Sequence, residues 1–275
     1  MNQNEFFEKI IIELKISKNS EYTIKNYLRA NKELLNFIGK NPEDVDESDV
    51  KKFLAEKLSD KASMSIILFL SAIKYAYSNI LEKDITLRIK RPKKEKKIPS
   101  VLTKEEVKRV INSLENKKSR LMVSMIYACG FRVSEILNLK IRDLDFDEKI
   151  GHVRMTKGKK DRMFNIPNFL MKDLKKQAQE QKNQEYLFTG PNGKLSSRNL
   201  QKIVSKAVKK IGIQKNVSCH TLRHSFATHL LEGDVDIRKI QELLGHSDLS
   251  TTQIYTHVST RELKKIKSPL DELMN

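Results

Sequence analysis

Residues 219–256 read CHTLRHSFATHLLEGDVDIRKIQELLGHSDLSTTQIYT. The stretch gathers two imidazoles, a guanidinium and a phenol, on His220, Arg223, His246 and Tyr255, into one short C-terminal block. A helix beginning near His220 puts His220, Arg223, His224 and Ala227 on one face and Leu222, Phe226, His229 and Leu230 on the other. The second set predicts a core face, so the first is directed elsewhere. Leu243, Leu244 and Gly245 end a further helix at a glycine. Tyr255 follows His246 by nine residues, on a short helix started by Ser250 or Thr251. Upstream, Arg132 stands in GFRVSE (130–135). Two cations for a phosphate, two imidazoles and one phenol nucleophile are groups suited to breaking a phosphodiester bond without a metal.

Working outward, the chain of 275 residues is long enough for two domains, each with its own core. No segment approaches the roughly 18 uninterrupted apolar residues that a membrane span requires. The first residues, MNQNEFFEKIIIELKIS, read as an amphipathic helix rather than a cleavable leader, so a cytoplasmic protein is expected. The net charge of +18 points to a polyanionic partner. Its distribution says more than its total. Residues 1–92 carry 16 Lys/Arg against 14 Asp/Glu, whereas residues 93–275 carry 37 against 21, so the basic excess accompanies the candidate site. Cys129 and Cys219 form no CxxC and are expected as small packing residues beside the motifs.

Four helices are predicted in residues 1–90. Phe6, Phe7, Ile10, Ile11 and Leu14 mark the first, and Tyr22 through Ile38 a longer second, ended by Gly39 and Pro42. Ser48 or Asp46 caps the third. The fourth, Ser63 to Ile80, is apolar nearly all round and is expected to be the buried one. The N-terminal tyrosines Tyr22, Tyr27, Tyr75 and Tyr77 are expected to pack. RPKKEKKIP (91–99), with two prolines in a basic run, predicts a linker over 91–102. TKEE (103–106) then forms a capping box that opens the domain 103–275. That domain reads as helices interrupted by a hairpin between Asp143 and Pro167, with lysines at its tip. Helices resume over Pro167–Gln181 and Ser197–Ile211, separated by the loop GPNGKLS (190–196).

GFRVSE (130–135), HTLRHSFATHLL (220–231), LLGHSDLSTTQIYTHV (243–258) and the lysine-tipped TKGKKDR (156–162) together resemble the tyrosine recombinase/integrase family, and within it the Xer type. The motifs cover residues 100–260, and the helical pattern of the N-terminal region agrees with them. The resemblance implies a mainly α protein: an N-terminal four-helix core-binding (SAM-like) DNA clamp, then an α-helical catalytic domain with a small antiparallel β-sheet. It implies site-specific DNA cutting and rejoining through a 3′-phosphotyrosyl intermediate, with no cofactor, metal or ATP. Arg132 and Arg223 would grip the non-bridging oxygens of the scissile phosphate, where a charged bidentate donor is best placed. Tyr255 would be the nucleophile. His220 is the candidate proton acceptor and His246 a donor to the phosphate. Lys157 would protonate the leaving 5′-oxygen, with Lys159 and Lys160 as contenders. Glu135, one turn beyond Arg132, would orient it from behind.

Lys93, Lys94, Lys96, Lys97, Lys159, Lys160, Arg162 and Arg198 are expected backbone contacts on double-stranded DNA carrying a specific site. His152 and His229 read as structural, and His224 and His257 as phosphate or structural contacts. His220 and His224 stand four apart as zinc ligands do, but no HExxH pattern or cysteine set accompanies them. SPLDELMN (268–275) is expected to serve, through residues 269–275, in self-association into a synaptic tetramer, as in relatives, or to be a locally packed or frayed end. The compact length favours dimer resolution of chromosomes or plasmids at the nucleoid. A mobile-element integrase or excisionase is the alternative. From a different class stands a non-catalytic DNA-binding protein on the same scaffold.

Overall fold

The computed structural model describes residues 1–93, 99–154, 161–191, 193–246 and 248–256. The chain divides into two compact units, Met1–Lys97 and Ile98–Asn275, each with its own core.

In the first unit, apolar residues at helical spacing generate α1 (Gln3–Ile16), with Phe6, Ile10 and Leu14 buried and Asn2 capping the Glu5 N–H. Ser20 caps α2 (Glu21–Ile38), which stops where Gly39 takes the left-handed conformation, φ 72°. Asp46, not Ser48, caps α3 (Glu47–Lys57), in a reciprocal box with Asp49. α4 (Ser63–Ile80) packs on α1 and α2. The Asn31 side chain bridges from α2 to the Ala72 carbonyl of α4 at 3.3 Å, and Phe53 of α3 stacks on Phe69 with centroids 4.8 Å apart.

Two expectations fail here. α4 is not buried all round: Met64 is 50 % and Leu68 41 % exposed, while Phe69, Leu70, Ile73 and Tyr77 fill the core. A helix laid on two neighbours buries the face toward them and leaves the other wet, whatever its composition. Tyr22, expected to pack, is 75 % exposed because it falls in the first turn of α2, off the buried stripe of Ile24, Asn31, Leu34 and Leu35.

The second unit opens with the expected Thr103/Glu106 capping box on α5 (Lys104–Asn112). α6 (Lys117–Cys129) is the central helix, with Leu121, Met122, Val123, Met125 and Ile126 buried. α7 (Val133–Asn138) follows Gly130. Strands β1 (Leu144–Asp145), β2 (Ile150–Val153) and β3 (Arg162–Asn165) form an antiparallel sheet in the order β1-β2-β3, with His152 opposite Met163. α8 (Asn168–Glu180) precedes a second small hairpin, β4 (Thr189–Gly190) and β5 (Gly193–Lys194), inside the segment read as loop. Four helices close the unit: α9 (Ser197–Lys210), α10 (Cys219–Glu232), α11 (Ile237–Leu244) and α12 (Ser250–Gln253). The lysine tip of the hairpin lies outside the described residues.

α10 also corrects the two-faced reading. It lies between α6 and α11, and Arg223 and Ala227 are as buried as Leu222. Both faces have partners, so the face carrying Arg223 is an interior one. No helix among the described residues is long and apolar enough to cross a membrane.

Candidate active site

The site grows from two helix ends. α6 stops at Gly130, φ 62°, and α11 at Gly245, φ 61°. A side chain at Gly130 would meet Phe226 Cδ1 at 2.6 Å, and one at Gly245 would meet Arg162 Cδ at 2.9 Å, so both positions need glycine twice over. The last carbonyls of an α-helix have no intrahelical donor and carry the negative end of its dipole. Here three guanidinium groups answer them. Arg223 donates to Gly130 O and, at 2.6 Å, to Leu244 O. Arg162 donates to Leu243 O at 2.6 Å, and Arg132 to Gly245 O at 3.3 Å.

One carboxylate joins the three cations. Glu135 accepts from Arg132 Nη1 at 2.6 Å and from Arg162 Nη2 at 2.7 Å, and its Oε2 lies 3.6 Å from Arg223 Nη1. It also accepts from the Arg132 backbone N–H at 2.9 Å. Burial acts to raise the Glu135 carboxyl, but Arg162, the Arg132 N–H and Arg223 together hold it below its ordinary value. Three formal positive charges thus face one negative charge, an excess suited to an anion. Burial, then Arg132, pushes Arg223 down to about 10, which leaves it cationic at neutral pH.

His246 sits against this cluster. Its Nε2 accepts from Arg223 Nη2 at 3.1 Å, so its proton belongs on Nδ1, which donates to Thr252 Oγ1 at 2.9 Å. Burial, then Arg223 and Arg132, lowers it to about 4, and the ring is neutral at pH 7. The Tyr255 ring lies nearly parallel to that of His246, with centroids 6.4 Å apart. Tyr255 is 1 % exposed, and its hydroxyl is 3.1 Å from His224 Nδ1. Burial raises the phenol above its ordinary value of 10.0, while Arg223 and Arg132 pull it down. Arg132, Arg223, His246 and Tyr255, separated by up to 123 residues of chain, therefore stand around one centre.

The remaining expectations divide. His220 is exposed at the edge of the cluster, and partial desolvation of its ring, then Arg223 and Arg132, lowers it; the imidazole at the Tyr255 hydroxyl is His224's, not that of the His220 expected to take its proton. His224 is itself lowered to about 4 by burial, His220 and Arg223. Arg162 is corrected: expected on the DNA backbone, it is 7 % exposed, bound to Glu135 and Leu243 O, and laid on the Phe131 ring at 5.3 Å. A guanidinium so enclosed braces the site rather than reaching out of it. Lys93 and Arg198 are exposed. Lys94, Lys96, Lys97, Lys157, Lys159, Lys160, His257 and residues 269–275 lie outside the described residues.

His229 bonds the Tyr127 hydroxyl at 2.9 Å, a structural contact as expected. Both cysteines are free and buried, and burial pushes Cys129 up to about 12 and Cys219 up to about 11, as packing thiols behave. Among the described residues, no group of three or more His, Cys, Asp or Glu is placed to hold a metal ion. Sequence reasoning missed Thr252, whose only signal is its place three residues before Tyr255. It also left the meeting of His224 with Tyr255 unread, because His220 and His224 share one helix face.

Residues 100–262 match the phage integrase family, and residues 6–87 match the phage integrase N-terminal SAM-like domain. The tyrosine recombinase XerA of Thermococcus kodakarensis is 38 % identical over 95 % of this chain and 94 % of its own length. A crystal structure of a XerA recombinase, 31 % identical, covers 95 % of this chain and 96 % of its own, with a TM-score of 0.57. A XerH site-specific recombinase bound to a palindromic difH substrate is 25 % identical over 88 % of this chain and 78 % of its own, with a TM-score of 0.70. The motifs that suggested the family supply the side chains that converge here, and the chain belongs to the phage integrase family as a tyrosine recombinase of the Xer type.

Proposed function

We propose that this recombinase cuts and rejoins duplex DNA at a specific site through a 3′-phosphotyrosyl intermediate on Tyr255, and that its cellular task is the resolution of chromosome or plasmid dimers. The observation that carries the reading is the convergence of Tyr255 and His246 on Arg223, with Arg132 held beside them through Glu135.

Arg132 and Arg223 bind the two non-bridging oxygens. Charge grows on those oxygens in the pentacoordinate transition state, so pre-placed donors favour it over the ground state. Arg223 exchanges its bond to His246 for one to the phosphate, and the neutral His246 ring then holds its proton on Nε2 and donates it to the phosphate, with the Thr252 hydroxyl donating to Nδ1 in turn. His220, exposed at the edge of the cluster, contacts the same group. Lys157 of the hairpin supplies the proton to the leaving 5′-oxygen. The phosphotyrosyl ester conserves the bond energy, so rejoining needs no ATP. Tyr255, 1 % exposed in this arrangement, must be uncovered when DNA binds.

The helical unit 1–90 acts as a DNA clamp joined by the linker 91–102 to the catalytic domain 103–275. Lys93, Lys94, Lys96, Lys97, Lys159, Lys160 and Arg198 meet the phosphate backbone. A synaptic tetramer, tied through residues 269–275, aligns two sites, and the protein works in the cytoplasm at the nucleoid. The experiment uses a duplex that the protein selects from a random-sequence pool, nicked to trap the cleaved state. An adduct resistant to denaturant should form in EDTA and vanish in Tyr255→Phe. An adduct that persists in Tyr255→Phe, or none in the wild type, refutes the assignment.

A further inference from the structure

A phenol must lose its proton to become a competent nucleophile, and three imidazoles surround Tyr255 and the arginines. Their hydrogen bonds separate them. His246 has both nitrogens engaged, Nε2 accepting from Arg223 and Nδ1 donating to Thr252 Oγ1. In the reaction, where Arg223 turns to the phosphate, His246 Nε2 donates to that phosphate and is again not free for a phenolic proton. His220 is exposed, and the hydrogen bond of the Tyr255 hydroxyl goes to His224, one turn further along α10.

We propose that His224 Nδ1 is the base that takes the Tyr255 proton as the phenolic oxygen attacks phosphorus. This rests on the recombinase reading and names a residue of that same site. His224 Nδ1 lies 3.1 Å from Tyr255 Oη, within proton-transfer reach. The rings are 5.6 Å apart at 53°, so the contact is a directed hydrogen bond and not a stack. In the step, the Tyr255 O–H bond breaks and an N–H bond forms at Nδ1. The phenolic oxygen bonds to phosphorus, the bond from phosphorus to the 5′-oxygen breaks, and that oxygen takes its proton from the lysine acid. In rejoining, the His224 imidazolium returns the proton to Tyr255.

The charged and titratable groups around His224 make this transfer conditional. On its own helix they are His220 and Arg223; from the segment after α11 comes His246, and after α12 Tyr255. Burial, His220 and Arg223 hold the His224 ring near 4, and burial raises the phenol. The free site therefore keeps its proton on oxygen. A phosphate anion on Arg223 and Arg132 cancels the positive field that disfavours His224⁺. Uncovering of the site relieves the burial that disfavours phenolate. The substrate thereby switches on the base.

The test is single-turnover cleavage of the nicked duplex by the full chain in EDTA. His224→Asn places an amide oxygen where Nδ1 stood, so it still accepts the tyrosine hydrogen bond but cannot carry the proton. Cleavage should slow by about 10²–10⁴-fold with DNA binding retained in a mobility-shift assay. His224→Ala should regain activity with added imidazole, and the rescued rate should rise with the basicity of substituted imidazoles. A His224→Asn rate within threefold of wild type overturns the assignment, as does a His224→Ala rate that no imidazole moves. Should both variants fail to bind DNA, a wild-type cleavage rate that does not fall as the pH is lowered from 7 to 4 overturns it. A wild type that forms no adduct overturns the recombinase reading with it, whereas an intact wild type with normal His224→Asn overturns this inference alone.

Discussion

Glu135→Gln probes the heart of the site. The carboxylate is 5 % exposed and meets Arg132, Arg162 and Arg223 at 2.6, 2.7 and 3.6 Å. A glutamine keeps the shape and one acceptor oxygen, but its NH₂ must face a donor whichever way the amide turns. Three guanidiniums then have no anion among them. Breaking a buried pair by removing one partner costs about 3–5 kcal/mol. For a unit of this size each kcal/mol is worth roughly 2–4 °C, so the catalytic unit should melt roughly 6–20 °C lower. Calorimetry of the full chain reads this as a shift of one transition, with that of the N-terminal unit in place. Sulfate at high concentration should recover part of the loss by supplying an anion to the unpaired arginines. The pH dependence has a definite sign. A carboxyl held below its unfolded value stabilises fully above about 4.5, and the contribution is lost as pH falls through the folded value. The gap between wild type and Glu135→Gln should therefore narrow below about pH 4.5. A variant melting within 2 °C of wild type at pH 7 would refute the view of Glu135 as the anchor of the three arginines.

Further outcomes follow from the same geometry. Gly130→Ala forces a side chain into φ 62° and against Phe226 at 2.6 Å, so urea unfolding should show a loss of about 2–4 kcal/mol, and cleavage should fall because the backbone shift that relieves the clash moves the residue-130 carbonyl that holds Arg223. His224 and His246 are held near 4 when folded against an ordinary 6.5, so the unfolded chain binds more protons between those values. Stability should climb with pH across that window and level off above 6.5, with a lower urea midpoint at pH 5 than at pH 7.5; His246→Asn should shrink the difference. Arg198→Ala and Lys93→Ala, both at exposed positions, should each reduce the slope of log affinity against log salt by about 0.9 in DNA-binding titrations, and an unchanged slope removes that residue from the backbone contacts.

Much of this protein is written locally. Helix starts follow from Asn2, Ser20, Asp46 and Thr103, whose side chains satisfy backbone N–H groups a few residues on. α4 begins and ends where its apolar run does. Three of the four motifs name Arg132, Arg223, His246 and Tyr255, because phosphoryl chemistry needs those groups and little else at those spacings. Local rules stop where a side chain's destination depends on a distant element. Arg162 reads as one more surface cation beside a lysine turn, yet Glu135 and the end of α11 enclose it. α4 looks uniformly apolar, but packing covers only the face toward α1 and α2.

His220 and His224 lie one turn apart on one face of α10, and helical periodicity treats them alike. Which of them touches the nucleophile is decided by where α12 sets Tyr255, a matter of three helices packing together rather than of spacing along one. Residue types and their order determined the family and the chemical inventory, since they are properties of the chain. Tertiary structure alone decided the pairings and the burial of Tyr255, since hydrogen bonds and desolvation depend on neighbours that are remote in sequence.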